Sequence, residues 1–171
     1  RMAGYKRVNA LFADVQRLQR ILSQENRKVQ LLIAGKAHLQ DEAGKDELQK
    51  IIGYMQRELS GHVLFVPNYN ISLAQQLTRG SDVWLNTPEI GKEACGTSGI
   101  KALSNGVLQC TVPDGWAAEV DWSNLGWTLN SDTISESVYT ILEEKIIPTY
   151  YDRGGESFST EWVRMMQQSI S

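Results

Sequence analysis

The sequence predicts an α/β chain, a Rossmann-like parallel sheet with helices on both faces, closed by a helical C-terminal tail. Three observations predict it. Short apolar runs alternate with amphipathic stretches every ~20–30 residues, the pattern of βαβ units. The runs are nearly continuous in apolar residues, as expected of strands covered on both faces. From Ser131 onward the strand pattern stops and helical spacing continues to the end.

Taken in order, Val8, Leu11, Val15, Leu18 and Leu22 recur at helical spacing, so the chain opens on an amphipathic helix. No strand precedes it, and the chain reads as a piece of a longer protein whose first strand is missing. "VQLLIAGKA" (29–37) reads as a buried parallel strand. "DEAGKDELQKIIGYMQREL" (41–59) is helical, with Leu48, Ile51, Ile52 and Met55 on one face. "HVLFVP" (62–67) is the second strand, and a helix from Ser72 ends at Gly80 in the usual cap position. "DVWLNTP" (82–88) is the third strand, stopped by Pro88. The run "EACGTSGIKALSNG" (93–106) enters a helix that continues through Ser104 to Gly106, and "VLQCTV" (107–112) is the fourth strand. Residues 131–151 are helical with an interruption at Pro148, followed by a last helix in "STEWVRMMQQSI". There is no internal repeat.

A length of 171 residues, 42% hydrophobic and 22% charged, suits one folded domain spanning 1–171, of which 131–171 is the helical tail. The net charge of −3 points to neither nucleic acid nor membrane. Seven of the 17 basic residues fall between Arg1 and Lys28, where they read as the solvated face of a helix. Cys95 and Cys110 form no CxxC pair, so neither a zinc site nor a disulfide framework is indicated, and no metal is expected. No apolar run approaches the ~20 residues of a membrane span and no signal peptide opens the chain, which reads as cytoplasmic.

The chemistry concentrates in residues 93–106. In a parallel α/β sheet, ligands sit beyond the carboxyl ends of the strands, where this run lies. Glycines let a backbone approach an anion, and a helix N-terminus offers unpaired N–H groups and a positive dipole end. By itself GTSG reads equally as a turn with Thr97 or Ser98 as an ordinary N-cap. It lacks the adjacent Lys and Ser/Thr of a Walker loop. Lys101 falls one turn into the helix, eight residues after Glu93. On an isolated helix it would be a solvated lysine. Beside a phosphate cradle, an amine there can hold pyridoxal phosphate covalently.

At this point the chain resembles the α-glucan (glycogen, starch, maltodextrin) phosphorylases, in their shorter bacterial and archaeal branch. Their cofactor-binding signature reads EASGT, two variable residues, a hydrophobic residue and Lys, which "EACGTSGIK" matches. "RMAGYKR" is similar to the family's RxxxYKR, "LLIAGKAH" to its AGKAH segment and "VPNY" to its Asn-Tyr turn. "DVWLNTP", "DGW" and "GW" are similar to the shorter branch, and the motifs stand in the family's order from Arg1 to about Tyr151.

The resemblance implies the C-terminal half of a two-domain glycosyltransferase-type fold. It also implies phosphorolysis of α-1,4-glucans by orthophosphate to glucose 1-phosphate, with pyridoxal 5′-phosphate as cofactor. Lys101 resembles the lysine that holds that cofactor, whose 5′-phosphate serves as acid and base. Gly96, Thr97, Ser98 and Gly99 would hold the 5′-phosphate, and Tyr69 would pack near the ring. Arg1 and Lys6 match the pair that binds substrate phosphate. Glu93 resembles the carboxylate on the glucose hydroxyls, assisted by the amides of Cys95 and Gly96. The N-terminal domain of the same enzyme is the implied partner; a homo-oligomer is left open, and the isolated piece is expected to be inactive.

Three departures stand out. Asn70 occupies a position where animal and plant enzymes carry Arg, Cys95 replaces the usual Ser, and the opening strand is absent. Two other readings compete. A nucleotide-sugar glycosyltransferase of the glycogen synthase kind would carry glutamate, to hold the ribose, where Lys101 stands. A non-catalytic carbohydrate-binding remnant would use Trp116, Trp122 and Trp127, which otherwise read as core or interface packing. His38 and His62 read as structural. Asp114 and Glu119 could form an acid–base pair for hydrolysis, but nothing in the sequence places them together.

Overall fold

The computed structural model describes residues 3–36, 41–156 and 158–171. Arg1, expected at the substrate phosphate, and His38 lie outside the described residues. The chain forms two compact units, Arg1–Asn70 and Ile71–Ser171.

In the first unit, two 3-10 turns, Gly4–Lys6 and Val8–Phe12, precede helix α1 (Val15–Leu22). The single opening helix predicted from Val8 is therefore split. Asp14 leaves helical backbone (φ −128°, ψ 89°) and its carboxylate accepts the Arg17 N–H at 2.8 Å, so an N-cap restarts the helix in mid-pattern. The apolar spacing still does its work: Leu11, Phe12, Leu18, Ile21 and Leu22 are buried.

Strand β1 (Leu31–Ala34), helix α2 (Glu42–Gln56) and strand β2 (Val63–Val66) form a βαβ unit. The strands pair in parallel from Leu31↔Val63 to Ala34↔Val66. Helix α2 begins on the Asp41 carboxylate, which accepts the Gly44 N–H at 2.9 Å. Ile51, Leu59 and Val63 close the core at 2% exposure or less. β1 is less covered than predicted. Ile33 points inward, but its neighbour Leu32 and the register partner Leu64 are 43% and 41% exposed. Alternation across a four-residue strand leaves one face open.

The second unit comprises α3 (Ile71–Gly80), β3 (Val83–Asn86), α4 (Thr97–Leu103), β4 (Leu108–Thr111) and β5 (Gly126–Thr128), followed by α5 (Ile134–Ile141), α6 (Ile147–Tyr151) and α7 (Thr160–Ser169). The sheet order is β3-β4-β5, all parallel. All four residues of the central β4 are buried, polar Gln109 and Thr111 included. β5 was not predicted, because three residues show no period, and pairing with β4 makes it a strand.

The predicted break at Pro148 is a widening instead. Residues Leu142–Ile146 form a π turn between α5 and α6, and the Ile147 N–H reaches back five residues to the Leu142 carbonyl. Proline lacks an N–H and crowds the carbonyl four residues before it, and the wider turn absorbs both defects without ending the helix. α7 starts on Ser159, whose hydroxyl accepts the Trp162 N–H at 3.3 Å. Trp162 and Met165 fold back into the core of this unit. Among the described residues no helix is long and apolar enough to cross a membrane.

The two thiols differ sharply. Cys110 lies in β4 at 1% exposure, and burial pushes its thiol up to about 12, while Cys95 is exposed. A maleimide at neutral pH should label Cys95 within minutes and Cys110 only with global unfolding, read as one added mass and then two. Rapid double labelling of folded protein would show that β4 is not central.

Candidate functional site

The glycine-rich run follows β3 and turns into α4. Gly96 is the N-cap, with φ 59° and ψ 48°, a left-handed conformation that glycine adopts without strain. The Gly99 N–H donates to the Gly96 carbonyl at 3.0 Å. Of the predicted cradle amides, Gly99 is thus already engaged, whereas those of Thr97 and Ser98 find no acceptor among the described residues. Lys101 stands four residues beyond Thr97, on the same helical face. It is exposed and pairs with no carboxylate among the described residues. The helix ends where the Asn105 side-chain amide donates to the Lys101 carbonyl at 2.7 Å.

Two residues that sequence reasoning did not assign to the site hold this loop. The segment after β4 carries Asp114, whose two carboxylate oxygens accept the Gly91 N–H at 3.0 Å and the Glu93 N–H at 2.9 Å. Burial by itself raises this carboxyl, but backbone N–H groups of Glu93, Gly91, Gly115 and Lys92 outweigh it and hold the group below its ordinary range. An anchor for amides is a different role from the acid–base pair considered for Asp114 and Glu119.

Trp116 then lies against the glycines. A Cβ on Gly96 would sit 3.3 Å from the Trp116 indole nitrogen and 3.4 Å from Glu93 Cγ. One on Gly99 would sit 3.0 Å from Trp116 Cζ2 and 3.2 Å from Gln109 Oε1. The glycines therefore make room for the indole behind them. The clue was present in the sequence as DGW directly after a strand, but its target lay some twenty residues upstream. Gln109 Oε1, fully buried, has no hydrogen-bond partner among the described residues, while its Nε2 donates to the Val107 carbonyl at 3.0 Å.

Glu93 is buried against Gly96, and Cys95 is exposed beside it, so Glu93, Cys95 and the glycine turn lie in the loop that leads into α4, with Lys101 one turn along that helix. The first unit holds two further predicted residues. Lys6 ends a 3-10 turn with its ammonium 5.4 Å from the Tyr5 ring centre. Tyr69 is half-buried in a turn whose Asn68 has φ 58°, a conformation that asparagine tolerates better than most residues.

The family model described as carbohydrate phosphorylase matches residues 1–125. The chain belongs to the carbohydrate phosphorylase family. It is 41% identical to glycogen phosphorylase of Aquifex aeolicus over 99% of its own length and 26% of that protein's. It is 37% identical to maltodextrin phosphorylase of Thermococcus litoralis, again over 99% of its length and 21% of the relative's. The chain thus spans about a fifth to a quarter of the length of these phosphorylases. A solved structure of Anabaena HepE in complex with UDP superposes with a TM-score of 0.71 at 17% identity, covering 99% of this chain and 41% of that one. At that identity the likeness is one of fold. The predicted fold class, parallel α/β with a helical C-terminal tail, holds.

Two tests follow from the loop's supports. Gly99→Ala should destabilise the protein by about 1–3 kcal/mol through overpacking, and adding Trp116→Phe, which removes Cζ2, should recover much of that loss. Strictly additive effects in denaturant melts would separate Trp116 from the glycine. Asp114→Asn should cost about 1–3 kcal/mol at neutral pH. Because the folded carboxyl is held below its unfolded value, its contribution is complete above the ordinary carboxylate range and fades as pH falls through the lowered value. The stability gap between wild type and variant should therefore close in acid, and a gap that widens there would contradict the anchor.

Proposed function

We propose that this chain is the cofactor- and phosphate-binding domain of an α-glucan phosphorylase, which cleaves α-1,4-glucans with orthophosphate to release glucose 1-phosphate. The observation that carries the reading is the start of α4. A left-handed Gly96, two amides at Thr97 and Ser98 without acceptors among the described residues, and Lys101 one turn along make a surface suited to the phosphate of a cofactor whose aldehyde group the lysine would hold. This donor set fits pyridoxal 5′-phosphate, and kinship with glycogen and maltodextrin phosphorylases supports it. Bound there, the cofactor supplies a phosphate group that exchanges a proton with the substrate phosphate.

The chain's own residues do the rest. The Thr97 and Ser98 amides orient the cofactor phosphate and need no reorganisation to do so, because Asp114 and Trp116 already hold the loop. Glu93 accepts from glucose hydroxyls, and the amides of Cys95 and Gly96 donate to the sugar. Arg1 and Lys6 bind the substrate phosphate and stabilise its charge as the glycosidic bond breaks, with Tyr69 packing near the cofactor ring. An N-terminal domain of the same enzyme supplies the facing wall of the cleft, so the 171-residue piece alone is inactive.

In the full-length protein, glucose 1-phosphate should appear from a linear α-1,4-glucan only when orthophosphate is supplied. Equal sugar release in phosphate-free buffer would mean hydrolysis. Borohydride reduction of the holoprotein, followed by digestion and mass analysis, should place the pyridoxyl group on the peptide containing Lys101. A group on Lys36, Lys45 or Lys92 would overturn the assignment.

A further inference from the structure

Two non-glycine residues among those described have positive φ, Arg7 at φ 47°, ψ 43° and Asn68 at φ 58°. Both belong to the first unit, and each directly adjoins a predicted site residue, Lys6 in one case and Tyr69 in the other. Asparagine visits the left-handed region readily, so Asn68 is an ordinary turn residue. Arginine has no such ease. A bulky side chain persists there only where its surroundings over-determine the backbone, and such residues cluster at functional sites.

Arg7 decides how the chain passes Lys6. Its N–H closes the first 3-10 turn on the Gly4 carbonyl at 3.0 Å, and its carbonyl accepts the Ala10 N–H at 3.0 Å to open the second. One residue thus ends Gly4–Lys6 and starts Val8–Phe12. With residue 7 right-handed, the two turns would merge into one helix, as the apolar spacing from Val8 allows. Lys6 would then lie one turn before Ala10, on the face that Ala10 buries. The left-handed residue swings the axis directly after Lys6 and frees its half-buried side chain from that apolar face.

We propose that Arg7 is a positioning residue whose left-handed backbone, rather than its guanidinium, aims the Lys6 ammonium at the substrate phosphate. The assignment rests on the phosphate role proposed for Lys6. An ammonium that must meet a phosphate as its charge changes is useful only in a fixed place, and a small displacement there costs much of the rate. Asn68 sets the chain before Tyr69 by the same conformation, at a residue type that accepts it more easily.

The test uses full-length holoprotein carrying Arg7→Gly, Arg7→Asn or Arg7→Val. All three remove the guanidinium, so differences among them read the backbone alone. Glycine and asparagine hold the left-handed turn, and β-branched valine resists it. The KM for orthophosphate should be about tenfold higher in Arg7→Val than in Arg7→Gly, with Arg7→Asn close to glycine. The KM for glucan should stay level across the three. A merely structural residue would lower the folded fraction, and so kcat, without moving the phosphate KM. Acetylation of Lys6 by a limiting active ester, read by mass, needs no turnover. Saturating inorganic phosphate should slow it severalfold in wild type and Arg7→Gly, and this protection should be lost in Arg7→Val. That pattern without phosphate-dependent glucan cleavage in wild type would end the phosphorylase reading and leave the turn's role standing. Phosphate-dependent cleavage with equal phosphate KM in the glycine and valine variants would overturn the turn's role alone, and so would a wild-type Lys6 that phosphate does not protect.

Discussion

Asp114 receiving the amides of Gly91 and Glu93 is the contact on which the candidate site depends. The segment after β4 reaches back to the loop after β3, so two neighbouring strand ends are tied by a buried charge that accepts several N–H groups. Hydrogen bonds to a charged acceptor contribute about 1.5–3 kcal/mol each, well above neutral ones, and leaving such a carboxylate without donors in a buried place is costly. The loop is therefore set before any ligand arrives.

Trp116 extends the same logic. Two residues past Asp114, its indole occupies the space that side chains at positions 96 and 99 would claim. The glycines of an anion-binding turn are usually explained by what approaches from solvent, but here the protein behind them makes the same demand. Bracing from behind fixes the turn and leaves the amides of Thr97 and Ser98 without an acceptor among the described residues. Elsewhere in the second unit Trp127 packs on Trp162, which Tyr150 meets edge-on.

Much of this was legible in the sequence. The order of the motifs pointed to a phosphorylase, and kinship with that family agrees, while the glycine run leads from a strand into a helix with Lys101 one turn along, as its spacing implied. Helices α2, α3 and α7 and the strands β1 to β4 followed from period and punctuation, because apolar spacing and caps are local properties of the chain. The amides of Gly96 to Gly99 looked equivalent in sequence, and only the closed Gly99-to-Gly96 hydrogen bond distinguishes them.

What the sequence determined by itself was whatever a segment settles with its own neighbours: helical faces, glycine turns, N-cap residues and the spacing of Lys101 from the loop. Tertiary structure decided the rest. It made a strand of Gly126–Thr128 by pairing it with β4, turned the break at Pro148 into a π turn, and left Leu32 and Leu64 on an open face of β1 and β2. It also gave Asp114 and Trp116 their roles. Their partners lie about twenty residues away along the chain, and a hydrogen bond or a van der Waals contact depends on distance in space, which no local pattern records.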